Sequence, residues 1–148
     1  MELMGVYDEA LVEPLARVLA NLGVKKAMVV YGQDGLDEIS MSAPTTVCEV
    51  KDGEFLSYVI TPEQFGFTRC SKDELIGGSP QDNAQIALAI LKGEKGPRRD
   101  AVVLNSAAAI HIAKGISIED AIREAQEVID SGKALAQLEQ FAALTNQE

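Results

Sequence analysis

Histidine, cysteine and tryptophan are scarce in this sequence: its 148 residues include one histidine, two cysteines and no tryptophan. With His111 alone, the chain offers no histidine cluster for zinc and no obvious Ser–His or Cys–His catalytic pair. His111 stands in an apolar segment, where a structural role is expected. Cys48 and Cys70 have no second cysteine or histidine at zinc-binding spacing, so we expect reduced thiols rather than a disulfide.

Long apolar runs are also absent, because no stretch approaches the roughly 18 residues that a membrane-spanning helix requires. Residues 1–6 lack the basic start and the apolar stretch of a secretory signal. Together these features predict a cytoplasmic protein without a membrane segment. The length and the 47% apolar content predict one globular domain.

Basic residues are in the minority, with 13 Lys and Arg against 23 Asp and Glu and a formal net charge of −10. Nucleic-acid binding depends on neutralising phosphates with basic side chains, so no nucleic-acid partner is expected. An anionic substrate would need a metal ion or local basic residues to offset the repulsion.

The first elements of the chain are a helix and a buried strand. Apolar residues at helical spacing predict a helix over residues 8–22 that stops at Gly23. Pro14 leaves two alternatives open, a kinked helix or a helix that begins there after a turn. The continuous apolar run over residues 26–31 predicts a strand covered on both faces, as in a parallel sheet.

A hairpin is predicted next. Strand-like segments at residues 46–51 and 54–60 flank Asp52-Gly53, whose tolerance of positive φ is typical of a type I′ turn. Thr61 and Pro62 then predict a single helical turn, with Thr61 as its cap. A lone buried strand and a hairpin do not make a parallel sheet, which indicates an incomplete sheet.

From Ser79 onward the sequence predicts four helices. Ser79 caps the first, and Pro97 opens the second. Residues 101–113 of this second helix are apolar on nearly every side, which predicts burial at the centre of the domain. Ser117 begins an amphipathic third helix, and a fourth carries the C-terminal leucines.

The segment that could carry chemistry follows the buried strand, where open α/β sheets place their ligands. Adjacent carboxylates on an irregular loop can point to one side, and Mg²⁺ commonly takes one or two carboxylates plus substrate phosphates. Asp37 and Glu38 are therefore candidate metal ligands. On residue types alone, an exposed acidic turn remains the favoured interpretation. The segment reads Tyr31-Gly32-Gln33-Asp34-Gly35-Leu36-Asp37-Glu38.

Two other segments could bind an anion, but a structural role is favoured for each. Gly77-Gly78-Ser79 precedes a helix without P-loop spacing, so the glycines are expected to shape a turn that Ser79 caps. Arg98 and Arg99 are expected to be solvated charges.

Two asparagines, Asn83 and Asn105, fall inside predicted helices, where asparagine is not a favoured residue. Asn105 interrupts the most apolar helix. A buried asparagine must satisfy its amide, so we expect Asn105 to bond a neighbouring loop backbone and lock two elements together.

A series of short stretches, in a fixed order along nearly the whole chain, resembles the anthranilate phosphoribosyltransferase family. These stretches are Gly5-Val6-Tyr7, Leu22-Gly23, Val29-Val30-Tyr31-Gly32, Asp34-Gly35-Leu36-Asp37-Glu38-Ile39-Ser40, Thr46-Val47, Asp52-Gly53, Pro62-Glu63, Phe65-Gly66, Asp82-Asn83-Ala84, Leu91 with Gly93, Asp100 through Asn105-Ser106-Ala107-Ala108, and Asp130-Ser131-Gly132 with Ala134.

The resemblance implies that residues 1–148 are the C-terminal part of a single α/β glycosyltransferase domain. This domain is the large α/β domain of a phosphoribosyltransferase of the nucleoside phosphorylase-like type, with short strands and a hairpin followed by a run of helices. The implied activity transfers the phosphoribosyl group of phosphoribosyl pyrophosphate to anthranilate in tryptophan biosynthesis, releasing diphosphate.

The family's magnesium-binding Asp-Glu pair corresponds to Asp37 and Glu38, so the resemblance implies a Mg²⁺ cofactor. Many members have His where this chain has Tyr31. No residue is assigned a catalytic role, and the substrate-binding residues are unknown.

The family's glycine-rich diphosphate loop, its Lys-His-Gly-Asn segment and its anthranilate-contacting arginine do not occur in this sequence, nor do the N-terminal helices of its small domain. We therefore expect a chain that is inactive alone and that forms a homo-oligomer or pairs with the missing N-terminal half. Two alternatives are a non-catalytic binding or assembly module that pairs with another chain, and a relative of the pyrimidine nucleoside phosphorylases. The Gly-Leu-Asp-Glu turn fits the anthranilate enzymes better.

Overall fold

The computed structural model of the chain describes residues 1–146. Its four strands form one sheet in the order β1-β2-β3-β4. β1 runs parallel to β2, whereas β2 with β3 and β3 with β4 are antiparallel. The strands are β1 (Glu2–Gly5), β2 (Lys26–Gly32), β3 (Thr45–Lys51) and β4 (Glu54–Ile60).

β1 is the strand that the sequence pattern did not reveal. It has only four residues and none of them is buried, so it carries no clear apolar pattern. The expectation of a lone buried strand is wrong, because β1 pairs with β2 from Glu2 opposite Ala27 to Gly5 opposite Val30. Since the two strands are parallel, their carboxyl ends meet at one edge of the sheet.

The five helices are α1 (Val12–Asn21), α2 (Pro80–Leu91), α3 (Pro97–Lys114), α4 (Ile118–Asp130) and α5 (Lys133–Thr145). α1 follows a 3₁₀ turn at Glu9–Leu11. Pro14 is therefore in the first turn of α1, where its missing N–H removes no intrahelical hydrogen bond. Of the two alternatives that Pro14 left open, the helix that begins after a turn is the one observed.

The predicted turns and cap positions are confirmed. Asp52 and Gly53 have φ angles of 50° and 90°, as a type I′ hairpin requires. Thr61 takes the N-cap position of the 3₁₀ turn Pro62–Phe65, but its side chain makes no capping hydrogen bond; its N–H donates instead to Gln64 Oε1 at 2.9 Å. Ser79 and Ser117 cap α2 and α4 through hydrogen bonds from the backbone N–H groups three residues later.

The sheet lies between two helical layers, which explains the continuous apolar run of β2. Ala27 and Val29 face α1, whereas Met28 and Val30 face α3 and α4. All four side chains are buried, so the prediction of a strand covered on both faces is confirmed.

The prediction that residues 101–113 of α3 lie at the centre of the domain is only partly confirmed, because most of these residues are buried or half-buried but one stripe is exposed. Val103 and Leu104 are buried against the sheet and α4, but Val102, Ala109 and Ala113 are exposed along one stripe. α5 is largely open to solvent, with Leu138, Phe141 and Leu144 among its exposed residues.

Within residues 1–146, no individual helix has the length and hydropathy to cross a membrane, although α3 and α4 meet these criteria when taken together across a bend of 117°.

Candidate metal site

The acidic turn follows β2 at the edge of the sheet where β1 also ends. Asp37 and Glu38 are both exposed there. They line two clefts, one of about 420 Å³ beside Gly5 and Asn105 and one of about 760 Å³ that extends between α2 and α3. The two adjacent carboxylates are therefore accessible to a ligand from either cleft.

Neither carboxylate is engaged by another side chain: within residues 1–146, no ion pair or hydrogen bond involves the side chain of Asp37 or Glu38. No cluster of three or more His, Cys, Asp or Glu side chains suited to a metal occurs in that part of the chain either. The chain can thus contribute a pair of oxygen ligands rather than a complete cage. Such a pair fits Mg²⁺, which keeps several waters and takes its remaining ligands from substrate phosphates.

Two glycines allow the backbone of the turn to lie against the sheet. A Cβ atom on Gly5 would stand 1.5 Å from the carbonyl oxygen of Asp37, and one on Gly32 would stand 3.1 Å from that of Glu38. The Gly32 N–H donates to the Leu36 carbonyl oxygen at 2.8 Å. Any larger residue at position 5 would displace the turn.

Asn105 of α3 holds the residue that follows the acid pair. The Ile39 N–H donates to Asn105 Oδ1 at 2.9 Å, and Asn105 Nδ2 donates to the Ile39 carbonyl oxygen at 2.9 Å. Asn105 Nδ2 also lies 3.0 Å from the Ala101 carbonyl oxygen within α3. The prediction that Asn105 bonds a loop backbone and locks two elements together is confirmed.

Asp34 organises the other side of the turn, a role that the sequence pattern did not reveal. Its Oδ2 accepts hydrogen bonds from Ser40 Oγ at 2.9 Å and from Ser42 Oγ. Its Oδ1 is buried without a hydrogen-bond partner in residues 1–146. Burial would raise the pKa of Asp34, but the hydrogen bonds from Ser42 and Ser40 outweigh it and hold the pKa below its ordinary value. Asp34 is therefore held as a carboxylate that shapes the loop.

The Gly77-Gly78-Ser79 segment has the structural role expected of it. Ser79 caps α2, and Asn83 reaches back to the loop, with the Gly78 N–H donating to Asn83 Oδ1 at 2.8 Å.

The arginines differ from expectation, because Arg99 is only 4% exposed. It donates to Asp130 at 2.7 Å, whereas Arg98 donates to the Ile76 carbonyl oxygen at 2.7 Å. The expectation of two solvated charges is thus wrong for Arg99, which ties the start of α3 to the end of α4.

His111 lies away from the acidic turn and joins elements of the core. Its Nε2 is 3.4 Å from Glu49 Oε1, and its Nδ1 faces the Ile116 carbonyl oxygen. Tyr58 donates to the same Glu49 carboxylate at 3.0 Å, and burial followed by the Glu49 charge raises the pKa of Tyr58. The contacts agree with the structural role expected of His111. Cys48 and Cys70 are free thiols, as predicted.

Comparison with known sequences and structures links this geometry to one group of proteins. The sequence model described as glycosyl transferase family, a/b domain, matches residues 1–135. The anthranilate phosphoribosyltransferase of Methanobrevibacter smithii is 60% identical over 147 residues, which are 99% of this chain and 44% of that protein.

Two solved structures share the fold. The anthranilate phosphoribosyltransferase of Thermus thermophilus has a TM-score of 0.85 and 38% identity over 94% of this chain and 41% of that one. The enzyme of Saccharomyces cerevisiae in complex with PRPP and Mg has a TM-score of 0.86 and 28% identity over 95% of this chain and 41% of that one. The chain thus spans less than half the length of each of these proteins.

Proposed function

Because the chain belongs to the glycosyl transferase family, a/b domain, we propose that it is the C-terminal part of an anthranilate phosphoribosyltransferase. The complete enzyme would transfer the phosphoribosyl group of phosphoribosyl pyrophosphate to the amino group of anthranilate and release diphosphate. The observation that carries this proposal is the pair of accessible, unpaired carboxylates of Asp37 and Glu38 at the carboxyl edge of β1 and β2.

Asp37 and Glu38 would hold a magnesium ion that also contacts the diphosphate of the substrate. Bound there, magnesium supplies positive charge that offsets the negative charge of the leaving group. The yeast relative, whose structure is a complex with PRPP and Mg, supports these two groups as ligands of the complete enzyme. A chain of net charge −10 would otherwise repel such a substrate.

The remaining residues of the turn would keep the two carboxylates in place while leaving them free of other partners. Gly5 and Gly32 allow the backbone to lie close to the sheet, and Asn105 fixes Ile39. A carboxylate that has no protein partner loses no hydrogen bond or ion pair when a cation binds, so the site is ready for metal.

The chain would act together with further parts of the enzyme, since catalysis requires that both substrates be positioned. The cleft of about 760 Å³ between the turn, α2 and α3 favours this arrangement, because most of its lining is apolar and would be covered by another part of the protein. Its apolar lining includes Leu36, Ile39, Met41, Leu75, Ile86, Ile90, Leu91 and Val102.

The same cleft supports the second candidate function, a non-catalytic module that assembles with another chain. The two candidates differ in whether Asp37 and Glu38 matter for activity. An assembly module would retain its partner when these carboxylates are removed, and no reaction would depend on them.

Split-enzyme complementation tests the proposal. This chain would be co-expressed with the part of the Methanobrevibacter smithii enzyme that precedes the matched region, and the loss of anthranilate fluorescence would be followed with phosphoribosyl pyrophosphate and Mg²⁺. We expect no turnover from this chain alone, turnover from the pair, and a loss of at least about a hundredfold with Asp37→Ala.

Two results would overturn the proposal. One is full turnover by the chain alone, which would remove the need for a second part. The other is a stable complex of the two parts whose activity is the same with Asp37→Ala, because the acidic turn would then have no role in the reaction.

A further inference from the structure

We propose that Asn105 is a positioning residue that sets the geometry of the Asp37–Glu38 pair and thereby its affinity for a divalent cation. This inference rests on the proposed function, because it assumes that the pair binds metal. Asn105 would not touch the cation itself, since its amide is occupied by the backbone of Ile39 on both sides.

The turn is held at several points, and Asn105 is the side chain that bonds the residue immediately after Glu38. Gly5 and Gly32 limit the path of the backbone by close steric approach. Asn105 holds it by two hydrogen bonds of 2.9 Å to one residue, immediately after Glu38. A pair of bonds to the N–H and C=O of the same residue fixes the orientation of its peptide groups as well as its position.

The anchor itself is rigid. Nδ2 of Asn105 lies 3.0 Å from the Ala101 carbonyl oxygen. Val103 and Leu104 on one side of Asn105 in sequence, and Ala107 and Ala108 on the other, are at most 1% exposed. Asn105 therefore ties the turn to the part of α3 that is packed most tightly against the sheet. Metal affinity depends on such supporting contacts, whose loss typically weakens binding by tenfold to a hundredfold.

Asn83 provides a natural comparison. It also lies on a helix and contacts both the N–H and the C=O of a single loop residue, Gly78, at 2.8 Å and 3.4 Å. The Gly78 loop carries no acid pair. Asn83 lines the same cleft as the acid pair, but within residues 1–146 no hydrogen bond joins it to Asp37 or Glu38, so its removal breaks the same kind of contact without releasing the acidic turn.

The test uses Mn²⁺ as the probe, because it prefers the same oxygen ligands as Mg²⁺ and broadens nearby amide signals in nitrogen-15 NMR spectra. Wild type, Asn105→Leu and Asn83→Leu would be titrated, and urea unfolding would identify conditions in which each variant is folded. We expect saturable broadening around residues 37–39 in wild type. Asn105→Leu should weaken the affinity by about tenfold or more, whereas Asn83→Leu should leave it within about twofold.

Asn105→Asp distinguishes positioning from simple electrostatics and remains informative if Asn105→Leu does not fold. Its carboxylate still accepts from the Ile39 N–H but cannot donate to the Ile39 carbonyl oxygen. The added negative charge alone would tighten Mn²⁺ binding, whereas a displaced Asp37–Glu38 pair would bind Mn²⁺ more weakly. We expect weaker binding than in wild type.

The outcomes separate this inference from the proposed function. A wild-type chain without saturable broadening at residues 37–39 would contradict the metal site itself. A wild-type chain that binds Mn²⁺ while Asn105→Leu or Asn105→Asp binds it equally well or better would overturn the positioning role alone.

Discussion

Gly5 and Asp37 approach each other so closely that a Cβ atom on Gly5 would stand 1.5 Å from the Asp37 carbonyl oxygen. Gly5 ends β1, and Asp37 is the first residue of the acid pair. The contact therefore joins the carboxyl end of β1 to the candidate metal site. It is a contact between two backbone segments, neither of which can yield as a flexible side chain would.

Gly5→Ala should destabilise the chain and displace the acidic turn. Relieving the contact requires movement of the backbone, which costs about 1–3 kcal/mol when extra atoms are forced into a packed region. Gly78→Ala is the comparison variant, because the nearest atoms there belong to the Asp82 side chain, at 2.8 Å and beyond, rather than to the backbone. Urea unfolding of both variants checks this prediction, and equal losses of stability would contradict it.

The elements with a strong local signal could be predicted from the sequence. The continuous apolar run of β2, the Asp52-Gly53 turn and the Ser79 and Ser117 caps each follow from the preference of a few neighbouring residues. β1 could not, because its position depends on pairing with β2 and its four residues carry no period of their own. The exposed stripe of α3 could not be predicted either, because the composition of a helix does not show which of its faces packs against the sheet.

Arg99 and Lys95 share the Asp130 carboxylate but should contribute differently to stability. Arg99 is 4% exposed, whereas the Lys95 side chain is 65% exposed. Asp130→Asn leaves the buried guanidinium without its charged partner and should lower the unfolding free energy more than the loss of Lys95 does. Lys95→Met removes only a solvated ion pair and should cost at most about 1 kcal/mol. Similar unfolding free energies for the two variants would count against this ranking.

Asp34 should make the stability of the chain depend on pH in acid. Hydrogen bonds from Ser42 and Ser40 hold its pKa below the ordinary value in the folded state despite the opposing effect of burial. As the pH falls, the unfolded chain therefore binds this proton first. The contribution of Asp34 should be present above about pH 4 and disappear as the pH falls through the folded-state pKa.

Unfolding of wild type and Asp34→Asn between pH 7 and pH 3 measures this contribution. The stability advantage of wild type should shrink toward pH 3. Glu139→Gln, an exposed residue of α5, serves as the control for the general effect of acid on a chain with 23 acidic residues. An advantage that stays constant or grows in acid would show that Asp34 has no such role.

The candidate site was only partly visible in the sequence. The adjacency of Asp37 and Glu38 marked a possible metal site, and Asn105 stood out as a polar residue in an apolar helix. Their connection could not be predicted, because Ile39 and Asn105 are 66 residues apart and meet only after α3 packs on the sheet. The role of Asp34 was also hidden, since its partners Ser40 and Ser42 follow a loop whose path the sequence does not define.

Cation binding by the acid pair tests the account most directly. Titration of Mn²⁺ with detection of the free ion by electron paramagnetic resonance, and displacement by Mg²⁺, would compare wild type with the double variant Asp37→Asn/Glu38→Gln and with Glu139→Gln. Since both carboxylates of the pair are exposed and unpaired, the double variant should keep the thermal stability of wild type within a few degrees. We predict at least about a tenfold loss of affinity in the double variant and none in Glu139→Gln. Equal Mn²⁺ affinity in all three proteins would contradict the assignment of Asp37 and Glu38 as metal ligands.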